Sequence, residues 1–574
     1  AEVSASVKAY FVLKLAGDAL DAPHMRLASE RIRELGGVEA CNSFTRIYLA
    51  IFGQCRWEDC PAVPPELVLL PDWAPFNIYK MSSWSRAIVV PLSVIWAHRP
   101  LVPPAAGAGI EELHVPRRAA ASPKRSLRER AWRRFFAMAN ALLWGLEKAG
   151  ARPLRRRALA ACERWIHERL ELSDGLGAIF PPIINTLIAF RCLGYAPDDP
   201  RVRRQERELE RLEIEEDGAV HVEPCLSPVW DTALAIVALA ESGLAPEHPA
   251  LQAAARWLLD KEVTRVGDWR RANPDGPVGG WFFEYANEFY PDTDDTAEVL
   301  SALTRVRLPA AAGEERRRKA VARGQAWLLS MQNRDGGWGA FDLGCDSEVL
   351  TFVPFADHNA MIDPSCEDIT GRSIEAFASL GMAPEAPEMR RAVGFLRAKQ
   401  DADGTWYGRW GCNYIYGTWL ALRGLRHVDE DLRAPRYRRT LDWLRRHQNP
   451  DGGWGELPLS YDDPSTKGRG PTTPSQTAWA LMGLLAAGDH SSESVRRGID
   501  YLLRTQREDG TWHDEYWTGT GFPKVFYLKY HLYALYFPLW ALSLYAQATG
   551  GAPTNAGEPV AAASNERDLQ EVRS

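Results

Sequence analysis

Four segments of the chain repeat a glutamine, three residues, a glycine, one residue and a tryptophan, and a repeat restricts the available folds more than any other feature. They run from Gln332 to Trp338, Gln400 to Trp406, Gln448 to Trp454 and Gln506 to Trp512, each with Asp-Gly at its centre. A helix-like run precedes each copy (AWLLSM, GFLRAK, DWLRRH, DYLLRT). Another apolar helical pattern follows (SIEAFASLG, TWLALRGL, TAWALMGLL, FPLWALSLY). A degenerate fifth copy, RWLLDKEVTRVGDW, ends at Trp269, and a fainter one lies in RWIHERLELSDGLG. Asp-Gly supplies the left-handed position of a tight turn. The tryptophan is expected to pack back on the preceding helix while the glutamine bonds backbone at the helix ends. Helix–turn–helix units of about 50 to 70 residues cannot bury their faces alone, so they stack or close into a ring. The chain therefore reads as all-α, with concentric helix pairs closing an α/α barrel.

Clean repeats begin near residue 225, and the chain before it is irregular. This divides the sequence into two helical domains, 1–225 and 226–550, with a boundary near 220–230. The stretch 551–574 reads as a disordered tail. The charged segment at 201–217 reads as a solvated helix face or loop. A formal net charge of −7 argues against nucleic acid as the partner. Nine cysteines without a CxxC pair or zinc-type spacing point to reduced thiols and no metal centre. The most apolar stretch, residues 87–97, is interrupted by Pro91 and is too short to cross a bilayer, so only surface attachment is open to it.

Chemistry is concentrated in Pro291-Asp-Thr-Asp-Asp-Thr-Ala-Glu298. Asp292, Asp294 and Asp295 crowd together before an apolar helical pattern, where aspartate caps a helix and the dipole tolerates negative charge. Three acids so close cannot all ionise cheaply, and the one kept protonated is a Brønsted acid candidate. The same letters also spell a DDxxE box of the kind that holds Mg²⁺ and a diphosphate. No second metal motif accompanies it. A carbohydrate-active barrel, with paired carboxylates and sugar-stacking tryptophans, is a further alternative, as is a non-catalytic helical scaffold.

The acid motif and the glutamine–tryptophan repeats together resemble the squalene–hopene cyclases, which are class II triterpene cyclases. Matching blocks span nearly the whole chain and include residues 64–87, 227–244, YPDTDDTAEV at 290–299, GRWGCNYIYGT at 408–418, HQNPDGGWGE at 447–456 and YWTGTGFPKVFYLKY at 516–530. The resemblance implies two α/α barrel domains around an apolar cavity, cyclisation of squalene or a similar polyprene to hopene-type pentacycles, and no cofactor. It also implies monotopic attachment to the cytoplasmic face of the cell membrane, and a homodimer. Position by position, it makes Asp294 the proton donor, Asp292 and Asp295 its flanking carboxylates, and His447 the histidine that bonds the donor. Trp230, Phe283, Tyr414, Trp479, Phe522, Phe526, Tyr527, Leu528, Tyr530 and Tyr533 match cavity positions. The first ten residues match a family helix entered partway, and Ile183 stands where some relatives carry tryptophan.

The residue types suit that chemistry. A polyprene offers no heteroatom, so the reaction must begin with alkene protonation by a strong acid in a dry site. The cations that follow need stabilisation without a nucleophile, which aromatic faces provide at about 0.5–2 kcal/mol each. The 22 tryptophans, 18 tyrosines and 19 phenylalanines fit this need. Phe526, Tyr530 and Tyr533 are spaced as one face of a helix.

Overall fold

The computed structural model describes residues 2–116, 126–216 and 218–550. The proposed tail at 551–574 lies outside the described residues. Among them, the first half holds helices α1 (Val3–Ala16), α2 (Pro23–Glu34), α3 (Ser43–Ile51), α4 (Ser83–His98), α5 (Leu127–Lys148), α6 (Arg155–Leu170), α7 (Phe180–Cys192) and α8 (Pro200–Glu210). A short hairpin follows, β1 (Glu213–Glu216) with β2 (Ala219–Val222). The apolar stretch at 87–97 forms most of α4, which is buried almost throughout and packs against α6 and α7. Being apolar all round, it can only be a core helix. The charged segment continues from α8, which buries only Val202 and Gln205, into the exposed strand β1.

The second half alternates inner and outer helices. The inner ones are α9 (Pro228–Glu241), α11 (Thr293–Thr304), α13 (Glu367–Ser379), α15 (Tyr414–Arg426), α17 (Pro474–Ala486) and α19 (Tyr533–Ala548). Each packs on the next, and α19 returns to α9, so the ring closes. The outer layer is α10 (Pro249–Asp260), α12 (Ala311–Ser330), α14 (Pro387–Lys399), α16 (Pro435–Arg446) and α18 (Glu493–Thr505). Outer helices are amphipathic, whereas α11, α13, α15 and α17 are buried along nearly their whole length, polar residues included. That polarity on buried helices marks the interior as more than packing.

The repeated turn does what its letters require. The indole N–H of Trp338, Trp406, Trp454 and Trp512 donates to the carbonyl of Leu328, Leu396, Leu444 and Leu502, at 2.7–2.8 Å. Each bond adds a side-chain donor to a carbonyl in the last turn of the preceding outer helix, where backbone donors run short; Leu328, Leu444 and Leu502 also accept a backbone N–H three or four residues on. The glutamine amide closes the turn on the glycine carbonyl (Gln332 to Gly336, 2.9 Å), and Gln332 also reaches Glu388 in the next outer helix. Gly336 has φ +96°, and a Cβ there would meet the Arg391 carbonyl at 2.4 Å. In the degenerate copy it is Trp281, not Trp269, that bonds the outer helix, through Leu258 at 2.7 Å. The inserted residues between α10 and α11 displace the staple from its usual spacing, so the spacing alone misidentifies it.

The halves share their cores. Leu350, Phe355 and Met361, from the segment before α13, pack into the first-half cluster with Ile95 and Trp96. Arg86 of α4 pairs with Asp268 at 3.3 Å and Asp342 at 2.8 Å, all three buried. A buried pair needs such double compensation because each charge has lost its water.

The hairpin β3 (Gly519–Phe522) with β4 (Phe526–Leu528) corrects one expectation. Phe526, Tyr527 and Leu528 are strand residues, and the helix begins only at Tyr533. Pro523 and Lys524, at φ +72°, turn the chain, so the apparent helical spacing from Phe526 to Tyr533 is not a helix face.

Candidate active site

Asp292 is the N-cap of α11. Its Oδ1 accepts from the backbone N–H of Asp294 at 2.6 Å and of Asp295 at 3.2 Å. The cap is local chemistry, since a β-region aspartate before a helix satisfies orphan amides two and three residues on. All three carboxylates are buried at the end of α11. Burial pushes Asp292 and Asp295 well up, and each is pushed further by the charges of its neighbours.

Asp294 differs from the other two in its partner. Its Oδ1 accepts from Arg372 Nε at 2.7 Å. Arg372, on α13, spreads its fork to Glu298 Oε2 at 2.5 Å and to the Tyr416 hydroxyl at 3.0 Å. Its guanidinium carbon lies 4.8 Å from the centre of the Trp230 ring. Burial pushes Asp294 up to about 6, against the Arg372 guanidinium, which pulls it down, while Asp368 and Glu298 push it up. A buried carboxyl that titrates near neutrality, beside a cation that will hold its conjugate base, is equipped to release a proton.

An aromatic group continues from Arg372. Trp230 Nε1 donates to the Tyr533 hydroxyl at 3.1 Å. Tyr533 stacks on Tyr530 with centroids 4.3 Å apart and meets Trp479 edge-on at 6.0 Å. Trp479 lies against Tyr416 at 4.8 Å, and Phe283 meets Tyr530 at 6.2 Å. Thus Trp230, Phe283, Trp479, Tyr530 and Tyr533 gather beside Asp294, drawn from α9, α17, α19 and the loops before α11 and α19.

A second group lies across the junction of the halves. Trp84 of α4 contacts Phe341 at 4.4 Å, Trp410 at 5.0 Å and Phe522 at 6.3 Å, and Phe522 touches Phe526 at 6.1 Å. Trp84, Phe341 and Trp410 were not singled out from sequence. Trp84 and Trp410 lie within matching blocks and Phe341 just after the repeat ending at Trp338, and the signal that distinguishes them is spatial.

Several expected members lie elsewhere. Tyr414 faces Tyr407, and Lys467 Nζ sits 3.9 Å over its ring, so one face already carries a cation. Tyr527 lies by Tyr461 at 5.9 Å, on the far strand of the hairpin. Leu528 is paired with Gly519 in the same hairpin. His447 is the clearest correction. It terminates α16 on the outer layer, its Nδ1 bonds the Trp443 carbonyl at 2.8 Å, and its ring stacks on Trp443 at 4.3 Å. Arg372 occupies the place beside Asp294 that His447 was expected to fill. The two residues belong to different layers of the barrel, an outer helix end and an inner helix face, and only the inner face reaches the acid.

The comparisons with known proteins agree with this architecture. Residues 1–218 match the squalene-hopene cyclase N-terminal domain and residues 226–547 the squalene-hopene cyclase C-terminal domain. A squalene–hopene cyclase from Zymomonas mobilis is 42% identical over 555 residues, 95% of this chain and 83% of that protein. Relatives of the same name from Bradyrhizobium diazoefficiens (43% identical, 95% and 83%) and Alicyclobacillus acidocaldarius (42% identical, 95% and 86%) match equally broadly. With both domains matched and relatives covered over most of their own length, the chain belongs to the squalene–hopene cyclase family.

Proposed function

We propose that the protein cyclises squalene to hopene-type pentacyclic products, with Asp294 as the initiating acid. The observation that carries this reading is the Asp294–Arg372 pair: a buried carboxyl titrating near 6, backed by a fixed cation, with Trp230, Tyr416, Trp479 and Tyr533 gathered round that cation. The Asp294 O–H proton passes to a terminal alkene carbon. The electrons of that double bond form the new C–H bond, and the adjacent carbon becomes a tertiary cation. Successive alkenes then attack it, closing rings. Arg372 stabilises the carboxylate left behind. Tryptophan and tyrosine faces lower the energy of the travelling cation without capturing it. The first aromatic group serves early cations and the Trp84–Phe522 group later ones. Proton loss or water capture ends the sequence, and solvent reprotonates Asp294.

The first and last carboxylates of the DDxxE letters, Asp294 and Glu298, both grip Arg372. That contact serves proton chemistry rather than a diphosphate. Incubating the purified protein with squalene and analysing the products by mass spectrometry tests the reading. Cyclised products from the wild type and none from Asp294→Asn are expected.

Attachment to one membrane leaflet, on the cytoplasmic side, belongs to the same proposal. No described helix is long and apolar enough to cross a membrane. The support comes from α5, where Leu127, Phe135, Met138, Leu142 and Leu146 are all exposed. The last four are spaced as one helix face, and a stripe of this size left uncovered favours contact with lipid.

A further inference from the structure

Glu298 has no place in the mechanism above beyond sharing Arg372, yet it is among the most deeply buried acids of the site, 2% exposed. It stands one helical turn beyond Asp294 on α11, so the two carboxylates face the same way. Arg372 enters from α13 and bonds both. An arginine keeps its charge at any pH a protein survives. With Asp294 as its only carboxylate, Arg372 would hold that group as the anion, and an anion cannot protonate an alkene. One negative charge is enough to balance Arg372, and Glu298 is the better place for it. Asp294 repels Asp292 and Asp295 on its own helix and is itself pushed up by Asp368 on α13, whereas Glu298 lies one helical turn along from the three aspartates.

We infer that Glu298 is a tuning residue for the initiating acid: its carboxylate takes up the fixed charge of Arg372, so that Asp294 keeps its proton in the resting enzyme and gains a cationic partner when the proton leaves. The inference rests on the reading of Asp294 as proton donor. The other groups facing this pair are Tyr416 from α15 and Tyr533 from α19, both pushed well up by burial. Asp363 acts on Asp292, and Glu284 on Asp295. Arg423 of α15 is already paired with Glu375. None of these supplies a second counter-charge to Arg372.

The test is the pH dependence of squalene turnover, from about pH 4 to about pH 8, for the wild type, Glu298→Gln, Glu298→Asp and the double variant Glu298→Gln/Arg372→Gln, each checked for native helicity. Asp294 acts in its protonated form, so wild-type turnover should fall as pH rises through about 6. Removing the Glu298 charge favours ionised Asp294. The alkaline limb of Glu298→Gln should therefore move down by about 1 to 3 pH units, with turnover regained in acid. Glu298→Asp keeps the charge and should keep the wild-type limb. The double variant removes the charge Glu298 balances, so its limb should return to the wild-type position or above, at a lower maximum. A residue that only packs would lower turnover at every pH and leave the limb in place. An unmoved limb in folded Glu298→Gln overturns the inference. If that variant does not fold, a double variant whose limb lies below the wild type overturns it instead. Wild type without squalene turnover, or full turnover by Asp294→Asn, overturns the Asp294 reading and this one with it.

Discussion

Asp294→Asn should abolish cyclisation and at the same time make the protein more stable at neutral pH. The substitution is nearly isosteric and keeps an oxygen to accept from Arg372, while Glu298 continues to balance the guanidinium. The magnitude follows from the titration of Asp294, which burial raises from 3.8 to about 6 in the folded protein. An acid whose folded value is raised disfavours the fold wherever it must ionise. The effect is absent below about pH 4, where it is protonated in both states, grows as pH rises, and is complete above about pH 6. A rise of about two pH units corresponds to about 3 kcal/mol. The attraction of Arg372 is already contained in that figure, since it acts on the same titration. Denaturant unfolding of wild type and variant at matched pH would measure the gap. The variant should be indistinguishable near pH 4 and more stable by up to about 3 kcal/mol at pH 8. Squalene turnover, measured on the same preparations, should be lost. A folded Asn variant less stable than the wild type at pH 8 would refute the electrostatic reasoning, and one that still cyclises squalene would refute the catalytic role.

Trp454→Phe keeps a ring but removes the indole bond to the buried Leu444 carbonyl, which keeps only the longer 3.3 Å bond from the His447 N–H; the loss should cost about 0.5–1.5 kcal/mol in denaturant unfolding without changing the product ratio, and an unchanged midpoint would show that the indole bond is not what staples the turn. Met138→Asp with Leu142→Asp places two charges on the exposed stripe of α5 and should release the protein from lipid vesicles in a flotation assay while leaving turnover in detergent unaffected. Phe526→Ala truncates a side chain that is 37% exposed, so its stability cost should fall short of the roughly 3–5 kcal/mol of a core phenylalanine. If its contact with Phe522 serves later cations, partly cyclised products should appear by mass spectrometry. An unchanged profile would remove Phe526 from the site.

Much of the site was legible because it is local. The aspartate run reads as a cap from its letters, and Asp292 does cap α11 through amides two and three residues away. The aromatic members are harder, because the repeat letters mark the tryptophans that staple turns, whereas nothing beside Trp230 or Trp479 marks a ring near the acid. Trp338 and Trp479 are both wholly buried, so burial does not separate them, and their partners, a helix carbonyl and a row of rings, do. Block matching found Trp230 and Tyr533 but also brought in Tyr414, whose ring is covered by Lys467.

Turns, caps and the alternation of helix with helix follow from contacts within a few residues, and for that reason the sequence by itself determined the repeat, the all-α class and the acid at the head of α11. The partner of that acid was another matter. Arg372 is 78 residues from Asp294 along the chain, and His447, chosen by its motif, lies on an outer helix. Closure of the ring decided between them, because it sets α13 beside α11 and turns the Arg372 face inward. Likewise, aromatic spacing from Phe526 to Tyr533 suits a helix, and only the turn at Lys524 and the pairing of β3 with β4 made the first part a strand. Trp84 joins Phe341, Trp410 and Phe522 because the two halves share a packed boundary. Short-range geometry is carried by neighbouring residues, whereas the pairing of distant charges and rings depends on which helices close-pack, a property of the whole chain.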